Sequence, residues 1–368
     1  MEYKFSDLFK WTSGKPISPS DGQIPIYGSN GIIGYTNQAK FKNKIILGRV
    51  GAYCGSVAYC KDDFNATDNT LITTCNEGNI IYSYAYYLLK SFNLNNFAGG
   101  AAQPLITQSI LKRLKCDIPD VYVQHHIASI LSTYDTLIEN NTKRIRLLEK
   151  MAENLYKEWF SYGKIKDEGT IVRLTDVIQI TRGLSYSSDE IDYEDGLDLI
   201  NLKNIQAYGG FRYDGTKKFC GKYKNEQIVC EGDLVMGVTD MTQDRRTVGS
   251  VALIPNTDKL SVISADLIKI TSSISSIFLF GMFKYGKVSK YVAQFANGAN
   301  VLHLRPKALH NIKVLLPNLN MINKYVDAVS PMVAEMNKLY VLSVKLARQR
   351  DLLLPRLMSG KLEVKELK

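Results

Sequence analysis

The sequence is poor in the residues that build metal centres and disulfide frameworks. It has six cysteines without a CxxC pair, and only four histidines. No His/Cys cluster has the spacing of a structural zinc site, so we expect no metal site. We expect a cytoplasmic protein with reduced thiols, because the sequence also lacks the targeting and membrane-spanning segments described next.

Targeting segments and long apolar runs are also missing. The first residues, MEYKFSDLFKW, are charged and lack the apolar centre of a signal peptide. No run approaches the ~20 apolar residues that cross a bilayer. With 45% hydrophobic and 22% charged residues over 368 positions, we expect two or more soluble domains.

Familiar catalytic motifs are absent as well. The sequence contains no Asn/Asp-Pro-Pro-aromatic motif of an amino-methyltransferase and no GxxxxGKS or GxxxxGKT phosphate loop. The glycines of residues 27–34 lack the strand-to-helix setting of a nucleotide site. We therefore predict that the chain is not an enzyme, has no catalytic residues and binds no cofactor itself.

The chain does have an excess of positive charge. The net charge is +10 and the pI is about 9.1. The excess is spread over both globular parts and the C-terminal helix and is not confined to a basic tail. Such a distribution fits a surface that follows a polyanion, because neutralised phosphates supply much of the affinity for nucleic acid. On charge alone, a basic protein that binds no nucleic acid is the alternative.

An internal repeat is the most informative pattern. The segment 97–101 (FAGGA) returns 198 positions later as 295–299 (FANGA). At the same offset, leucine, lysine and proline at 111, 115 and 119 recur at 309, 313 and 317. Solenoid repeats have periods of ~20–50 residues, so this one indicates a duplicated module.

Each copy ends in a long stretch of helical periodicity. Apolar positions alternate spacings of three and four, the pattern of a coiled-coil seam. We predict two long helices that bury these seams on each other as an antiparallel pair; homodimerisation through each seam is the alternative. Asn141, Ser343 and Arg350 also lie on the seams, where they could set the register or face solvent. The predicted seam consists of Ile127, Leu131, Tyr134, Ile138, Ile145, Leu148, Leu155, Trp159, Val329, Met332, Met336, Leu339, Leu346, Leu353 and Leu357.

Several motifs resemble those of one family. LKCDIP at 114–119, followed by QHHIA at 124–128, resembles a proline followed by EQxxI at the start of a spacer helix, although Val123 replaces the glutamate. LLLPRLMSGKL at 352–362 resembles the C-terminal LLPxLxSG signature. YGSNGIIG at 27–34 and LGRVG at 47–51 resemble one subtype of target-recognition domain. Over its whole length the chain is similar to the specificity (S) subunits, HsdS-like, of type I restriction-modification systems.

The predicted fold class is therefore α+β, with two β-rich globular target-recognition domains joined by two long antiparallel coiled-coil helices. Internal duplication would make this arrangement pseudo-twofold. Short apolar bursts flanked by Gly, Asn and Asp predict the strands. We place the first target-recognition domain at 1–120, the first helical spacer at 121–162, the second domain at 163–317 and the second spacer at 318–368.

The resemblance also implies a function. Such a subunit reads a bipartite target in double-stranded DNA, and the spacers set the gap between the halves. It implies two methyltransferase (M) subunits and two restriction (R) subunits as partners, and no membrane. Adenine N6-methylation and ATP-driven cleavage, with S-adenosylmethionine, ATP and Mg, belong to those partners. The alternative is a coiled-coil scaffold whose two β-rich domains bind proteins or glycans.

Candidate DNA-binding residues are polar or basic side chains on glycine-rich loops. Arg, Lys, Asn and Gln make bidentate contacts with base edges, and lysines also touch phosphates. For each candidate, a solvated loop residue or a turn asparagine is the alternative. Because these loops differ between the copies, we expect a target with unlike halves. The candidates are Ser29, Asn30, Lys42, Lys44, Arg49, Tyr53 and Gln103 in the first domain, and Arg182, Asn201, Lys203, Asn204, Lys217, Lys218, Arg245, Arg246, Asn297 and Asn300 in the second.

Overall fold

The chain divides into two compact units. A computed structural model describes residues 2–100, 104–160, 169–192, 195–256 and 260–364. The first unit consists of Met1–Asn140 and Leu342–Lys368, and the second unit of Asn141–Val341. Each unit thus includes part of both long helices, whereas the sequence predicts separate helical spacers. The predicted domain boundaries themselves stay a prediction.

The first unit begins with a strand and ends its globular part at the long helix α4. Short 3-10 helices occupy Gly51–Tyr53 and Leu94–Phe97. The other elements are β1 (Glu2–Lys4), α1 (Phe5–Leu8), β2 (Phe9–Ser13), β3 (Ile24–Gly28), β4 (Gly31–Thr36), β5 (Phe41–Gly48), β6 (Val57–Ala66), β7 (Thr70–Cys75), α2 (Tyr82–Ser91), α3 (Gln108–Arg113), β8 (Lys115–Asp117) and α4 (Val121–Trp159).

A six-stranded sheet in the order β2-β7-β5-β6-β3-β4 forms the centre of the first unit. The pair β3–β6 is parallel and the other pairs are antiparallel. Helix α2 covers the sheet with a face that includes Tyr84, Leu88 and Leu89, all buried in one apolar core. Asn93 follows α2 and adopts the left-handed conformation, which asparagine tolerates better than most residues.

The second unit has more and shorter strands. Short 3-10 helices occupy Ser188–Glu190, Leu202–Asn204, Tyr213–Gly215, Asn225–Gln227 and Pro306–Asn311. The other elements are β9 (Thr170–Arg173), α5 (Leu174–Val177), β10 (Gln179–Arg182), β11 (Ile191–Asp192), β12 (Leu197–Ile200), β13 (Lys217–Phe219), β14 (Ile228–Val229), β15 (Leu234–Gly237), β16 (Thr239–Asp240), β17 (Val251–Leu253), β18 (Ser261–Ile263), β19 (Leu267–Thr271), α6 (Ser276–Lys284), α7 (Val288–Ala293), β20 (Leu302–His303), β21 (Lys313–Leu316) and α8 (Leu319–Met358).

Two sheets form the second unit, one of four strands (β10-β19-β15-β17) and one of five (β11-β13-β12-β18-β14). Two smaller pairs, β16–β20 and β21–β9, complete it. Helix α6 is apolar on almost every side, and its Phe278, Met282 and Phe283 are buried in one apolar core. Tyr156 of α4 and Tyr325 of α8 pack in the same core.

The two units repeat one pattern of backbone hydrogen bonds, which we call the shared frame. In both units these bonds connect three parts of the globular portion: its first segment, its central strands, and the segment that precedes the long helix, α4 or α8. The predicted duplication is therefore confirmed at the level of the backbone. The matching N-to-O bonds of the first and second unit are Phe5–Leu114 and Leu174–Ile312 (both 2.8 Å), Gly14–Thr70 (3.3 Å) and Gly183–Leu267 (3.1 Å), Gly48–Ser56 and Gly237–Ser250 (both 2.9 Å), and Ile106–Arg49 (2.9 Å) and Leu304–Val238 (2.8 Å).

The long helices pair antiparallel inside each unit. Helix α4 has 39 residues and α8 has 40. In the first unit, Leu357 shares a core with Ile127, and Arg350 pairs with Asp135. In the second unit, Glu335 pairs with Arg144 at 2.8 Å. All predicted seam residues are buried or half-buried, and the seams are therefore covered within the chain.

Candidate nucleic-acid interface

Each unit brings three loop segments together at one end of its frame, and we call this end the loop face. In the first unit it consists of residues 28–31, 49–55 and the described parts of 98–106. Ser29 Oγ donates to Asn69 O at 2.7 Å, and Ser56 Oγ donates to Ser29 O at 2.7 Å. Gly51 N donates to the carbonyl of Pro104 at 3.0 Å. The Ser56 bond thus holds the first segment beside the end of the second, and the Gly51 bond holds the second beside the third.

Four of the predicted residues lie on this first loop face. Ser29 and Asn30 form the tip of the β3–β4 hairpin, and Asn30 is exposed. Arg49 is half-exposed, and Tyr53 is 54% exposed on the following turn. Gln103 lies outside the described residues.

Lys42 and Lys44 lie elsewhere. They are near the start of β5, whereas Arg49 follows its end, about 20 Å away at ~3.3 Å per residue. Lys42 faces Asp63 at 3.6 Å, and Lys44 donates to the hydroxyl of Tyr82. The structure therefore does not bring these two lysines to the loop face.

The loop face of the second unit consists of residues 201–204, 238–249 and 297–304. Backbone bonds show the equivalence: Thr67 N donates to Tyr27 O at 2.9 Å in the first unit, and Ser264 N donates to Ile200 O at 2.8 Å in the second. The segment after Ile200 thus corresponds to the hairpin tip after Tyr27. Gln243 Nε2 donates to Ala299 O at 2.8 Å and joins the other two segments.

A single buried carboxylate organises the longest of these loops. Asp240 is 1% exposed. Its oxygens accept bonds from the backbone N–H groups of Thr242, Thr247 and Val248 at 2.6–3.2 Å. Burial by itself would raise the pKa of Asp240, but the bonds from Thr247 and Thr242 outweigh it and lower the pKa to about 2. The loop is therefore a braced structure built around an ionised side chain.

This loop presents two arginines to solvent. Arg245 adopts a left-handed φ of 53°, and Arg246 forms an ion pair with Asp244. Tyr208 N donates to the carbonyl of Arg246 at 2.8 Å, so a neighbouring turn supports the loop. Both guanidinium groups are in a position to meet a ligand at the loop face.

Two of the predicted DNA-contacting residues are not on the surface. Asn204 is 0% exposed and donates from Nδ2 to Arg212 O and to Thr216 Oγ1, both at 2.8 Å. Asn201 is also buried, and its Nδ2 donates to Gly215 O at 2.7 Å. Because their amide groups are used inside the unit, these two asparagines brace the turn and are removed from the candidate interface.

The remaining candidates of the second unit fall into two groups. Arg182, Lys203, Asn297 and Asn300 are exposed: Lys203 and both asparagines lie in the loop-face segments, and Arg182 ends β10. Lys217 and Lys218 lie on β13 instead. Lys217 donates to Tyr186 Oη at 3.1 Å, and Lys218 forms an ion pair with Asp198. These two lysines are half-buried and already partnered.

Within the described ranges, no group of three or more His, Cys, Asp or Glu side chains is placed to hold a metal ion. Among the helices that the structure describes, none is both long and apolar enough to cross a membrane.

Sequence and structure comparisons identify the class of protein. Residues 1–150 match the family model "Type I restriction modification DNA specificity domain". The specificity subunit of the type I restriction enzyme EcoprrI from Escherichia coli is 34% identical over 131 residues, which cover 35% of this chain and 32% of that protein. A protein named as the N-terminus of a type I specificity subunit, from Mycoplasma pneumoniae, is 30% identical over 36% of this chain and 76% of its own length.

A solved structure has the same fold. The S subunit of a type I restriction-modification system from M. genitalium matches with a TM-score of 0.64 at 17% identity, over 99% of this chain and 96% of that one. The chain thus belongs to the family of type I restriction-modification specificity subunits. The match to the Escherichia coli relative spans only about a third of that protein.

Proposed function

We propose that this chain is a non-catalytic subunit that reads a bipartite, asymmetric sequence in double-stranded DNA. The observation that carries the proposal is that one frame presents two different loop faces. The first offers Ser29, Asn30 and Arg49, and the second offers Lys203 with the braced arginine loop. Base edges are distinguished by such side chains, and unlike side chains favour unlike half-sites.

Sequencing of methylated adenines in a host that carries the system tests this proposal. The expected result is a methylated motif with two different halves separated by a fixed unread gap. A palindromic motif would contradict the proposed asymmetry. A motif that persists after deletion of this gene would contradict the role in recognition altogether.

Binding assays separate this proposal from a scaffold that binds proteins or glycans. Binding to duplex DNA should weaken steeply with salt, because released counterions drive association. The purified protein is titrated with target and random duplexes at NaCl concentrations from about 50 to about 200 mM, because the affinity of phosphate contacts changes strongly over this range. Indifference to DNA at every salt concentration would favour the scaffold.

We further propose that two methyltransferase (M) and two restriction (R) subunits dock on the chain and carry S-adenosylmethionine, ATP and Mg. Exposed apolar side chains on the long helices support this assignment. Leu147 is 65% exposed on α4, and Met151 one turn later is also exposed. Contiguous exposed apolar side chains on a helix are typical of interaction surfaces.

Co-purification tests the docking proposal. Leu147→Ser with Met151→Ser should reduce recovery of the methyltransferase while leaving the thermal unfolding of this chain unchanged. Lys150→Gln, an exposed change between them, is the matched control and should retain the partner. Full recovery with the double variant would place docking on another surface.

A further inference from the structure

A groove beside the loop face of the second unit is not accounted for by the predicted contacts. Its volume is about 450 Å³. One wall is the loop that carries Arg245, another is the turn at Tyr208, and the third is the α6–α7 segment with Lys287 and Lys290. Apart from Arg245, none of these residues was suggested by the sequence.

The groove carries positive charge that no carboxylate of the described residues neutralises. Two nearby cations are paired: Lys284 with Glu149, and Arg246 with Asp244. In contrast, Arg245, Lys287 and Lys290 are exposed and have no carboxylate partner in the described part of the chain. Three unneutralised cations on the walls of one concave site concentrate a positive potential there.

The backbone of the groove is held in an uncommon conformation. Tyr208, Arg245 and Lys287 have φ values of 65°, 53° and 63°. They are three of the five non-glycine residues with positive φ in the described chain, and all three line this groove. Left-handed conformations of such residues are disfavoured and cluster at ligand-binding sites, where the surrounding structure imposes them.

The equivalent region of the first unit lacks this charge. Asn93 precedes the short helix Leu94–Phe97 in the left-handed conformation, as Lys287 precedes α7. The helix itself then carries Asn95 and Asn96, whereas α7 carries Lys290. The same backbone turn is therefore neutral in one unit and cationic in the other.

We propose that this groove of the second unit holds the phosphodiester backbone of DNA, a contact for which the equivalent turn of the first unit, residues 93–97, carries no cation. The inference rests on the proposed function, because it assumes that duplex DNA reaches the loop face. The ammonium groups of Lys287 and Lys290 would bind the non-bridging phosphate oxygens and position the duplex without reading its sequence. The second unit then supplies the larger share of salt-dependent affinity.

The test is a pair of matched double variants. Lys287→Asn with Lys290→Gln removes both groove lysines and gives position 287 the residue that the first unit has at its equivalent turn. Lys222→Gln with Lys224→Gln removes the same charge from exposed positions of the second unit outside the groove. The full chain, in the complex in which it purifies, is titrated with fluorescent target and random duplexes at several salt concentrations.

The groove variant should lower the slope of log affinity against log salt by about 2, at ~0.9 per phosphate contact. Its loss of affinity between 50 and 200 mM NaCl should therefore be about tenfold smaller than that of the wild type. Target and random duplexes should be affected equally, and the control variant should keep the wild-type slope.

Two results would overturn the inference while leaving the proposed function intact: an unchanged slope in the groove variant, or an equal decrease in the control variant. If the wild type fails to bind duplex DNA at any salt concentration, the proposed function fails first and the inference fails with it. Thermal unfolding of both variants is compared with the wild type, so that a folding defect is detected separately.

Discussion

The two units have the same frame, but they differ in the loops that the frame carries. Between Gly48 and Gly55 the first unit has a short turn, whereas between Gly237 and Gly249 the second has a longer loop braced by Asp240. Gly55 N donates to Gly48 O, and Gly249 N donates to Gly237 O, both at 2.8 Å. The same backbone bond thus joins the two ends of the loop in both units, whereas the length and charge of the loop differ between them.

The largest expected effect concerns the frame itself. A Cβ at Gly14 would lie 2.0 Å from Thr67 O, and a Cβ at Gly183 would lie 2.0 Å from Ser264 O. Gly14→Ala and Gly183→Ala should each lower the free energy of unfolding of their unit by about 3 kcal/mol or more, because rigid backbone must move. Thermal unfolding combined with hydrogen exchange assigns the loss to one unit.

Gly99→Ala is the control, because its new Cβ would meet no atom within 4 Å. It should change stability by less than about 0.5 kcal/mol. If only one of the two frame glycines tolerates alanine, the equivalence of the frames would fail at this contact.

The second largest effect concerns the ion pairs between the long helices, which differ in burial between the two units. In the first unit, Arg350 is 17% exposed and pairs with Asp135, which also accepts a 2.6 Å bond from Tyr87 Oη. Arg350→Ala leaves the Asp135 carboxylate without the positive charge of its partner, although the Tyr87 bond remains, and should cost about 2.5 kcal/mol. In the second unit, Arg144 and Glu335 are more exposed, so Arg144→Ala should cost at most about 0.5 kcal/mol.

Chemical denaturation of both variants measures this difference. Equal losses would mean that the buried pair contributes no more than the exposed one. Replacement of Arg350 and Asp135 together by apolar residues of similar size should recover much of the stability, because no charge is then left unpaired.

A third prediction concerns the loop that only the second unit has. The pKa of Asp240 is about 2, below the ordinary ~3.9. Its contribution of about 2 kcal/mol is therefore complete above about pH 4 and is lost as the pH falls from about 4 to 2. Asp240→Asn removes this contribution at every pH. The wild type should therefore be more stable than the variant above about pH 4, and the difference in the free energy of unfolding should shrink as the pH falls from about 4 to 2.

Denaturation of the wild type and of Asp240→Asn at several pH values checks this behaviour. A difference that is constant from pH 7 to about 2 would show that the carboxylate is not the titrating group. Hydrogen exchange should locate the change in residues 240–248 and leave the first unit unaffected.

The smallest effects concern the recognition of single bases. Arg245→Ala and Arg246→Ala should each weaken target binding by about 1.5 kcal/mol and relax one half-site. Asn30→Ala should relax only the other half-site. Competition binding with base-substituted duplexes measures both. Equal losses on target and random DNA would show that the arginines contact phosphates alone.

Much of the fold was predictable because its signals are local. The heptad spacing of residues 127–159 and the 198-residue repeat indicate the helices and the duplication without any knowledge of tertiary contacts. Short apolar bursts also indicate strands: the segment 44–47, for example, lies in β5. The contact residues of the candidate interface were less predictable.

Asn201 and Asn204 illustrate the reason. In the sequence they are polar residues next to Lys203 and look like a recognition loop, yet their amides are used in a buried turn. Lys287 and Lys290 illustrate the opposite error. They fit no motif, and only the folded chain brings them next to Arg245. Whether a polar side chain faces inward depends on partners distant in the sequence.

The sequence by itself determined the duplication, the two long helices and the resemblance to specificity subunits, because periodicity and short motifs are encoded in neighbouring residues. The tertiary structure alone decided that the helix seams are covered within each unit and that Asp240 braces the arginine loop. It also decided that three cations, each without a carboxylate partner among the described residues, line one groove. Burial and charge pairing arise from contacts between distant segments, and the folded backbone determines which segments meet.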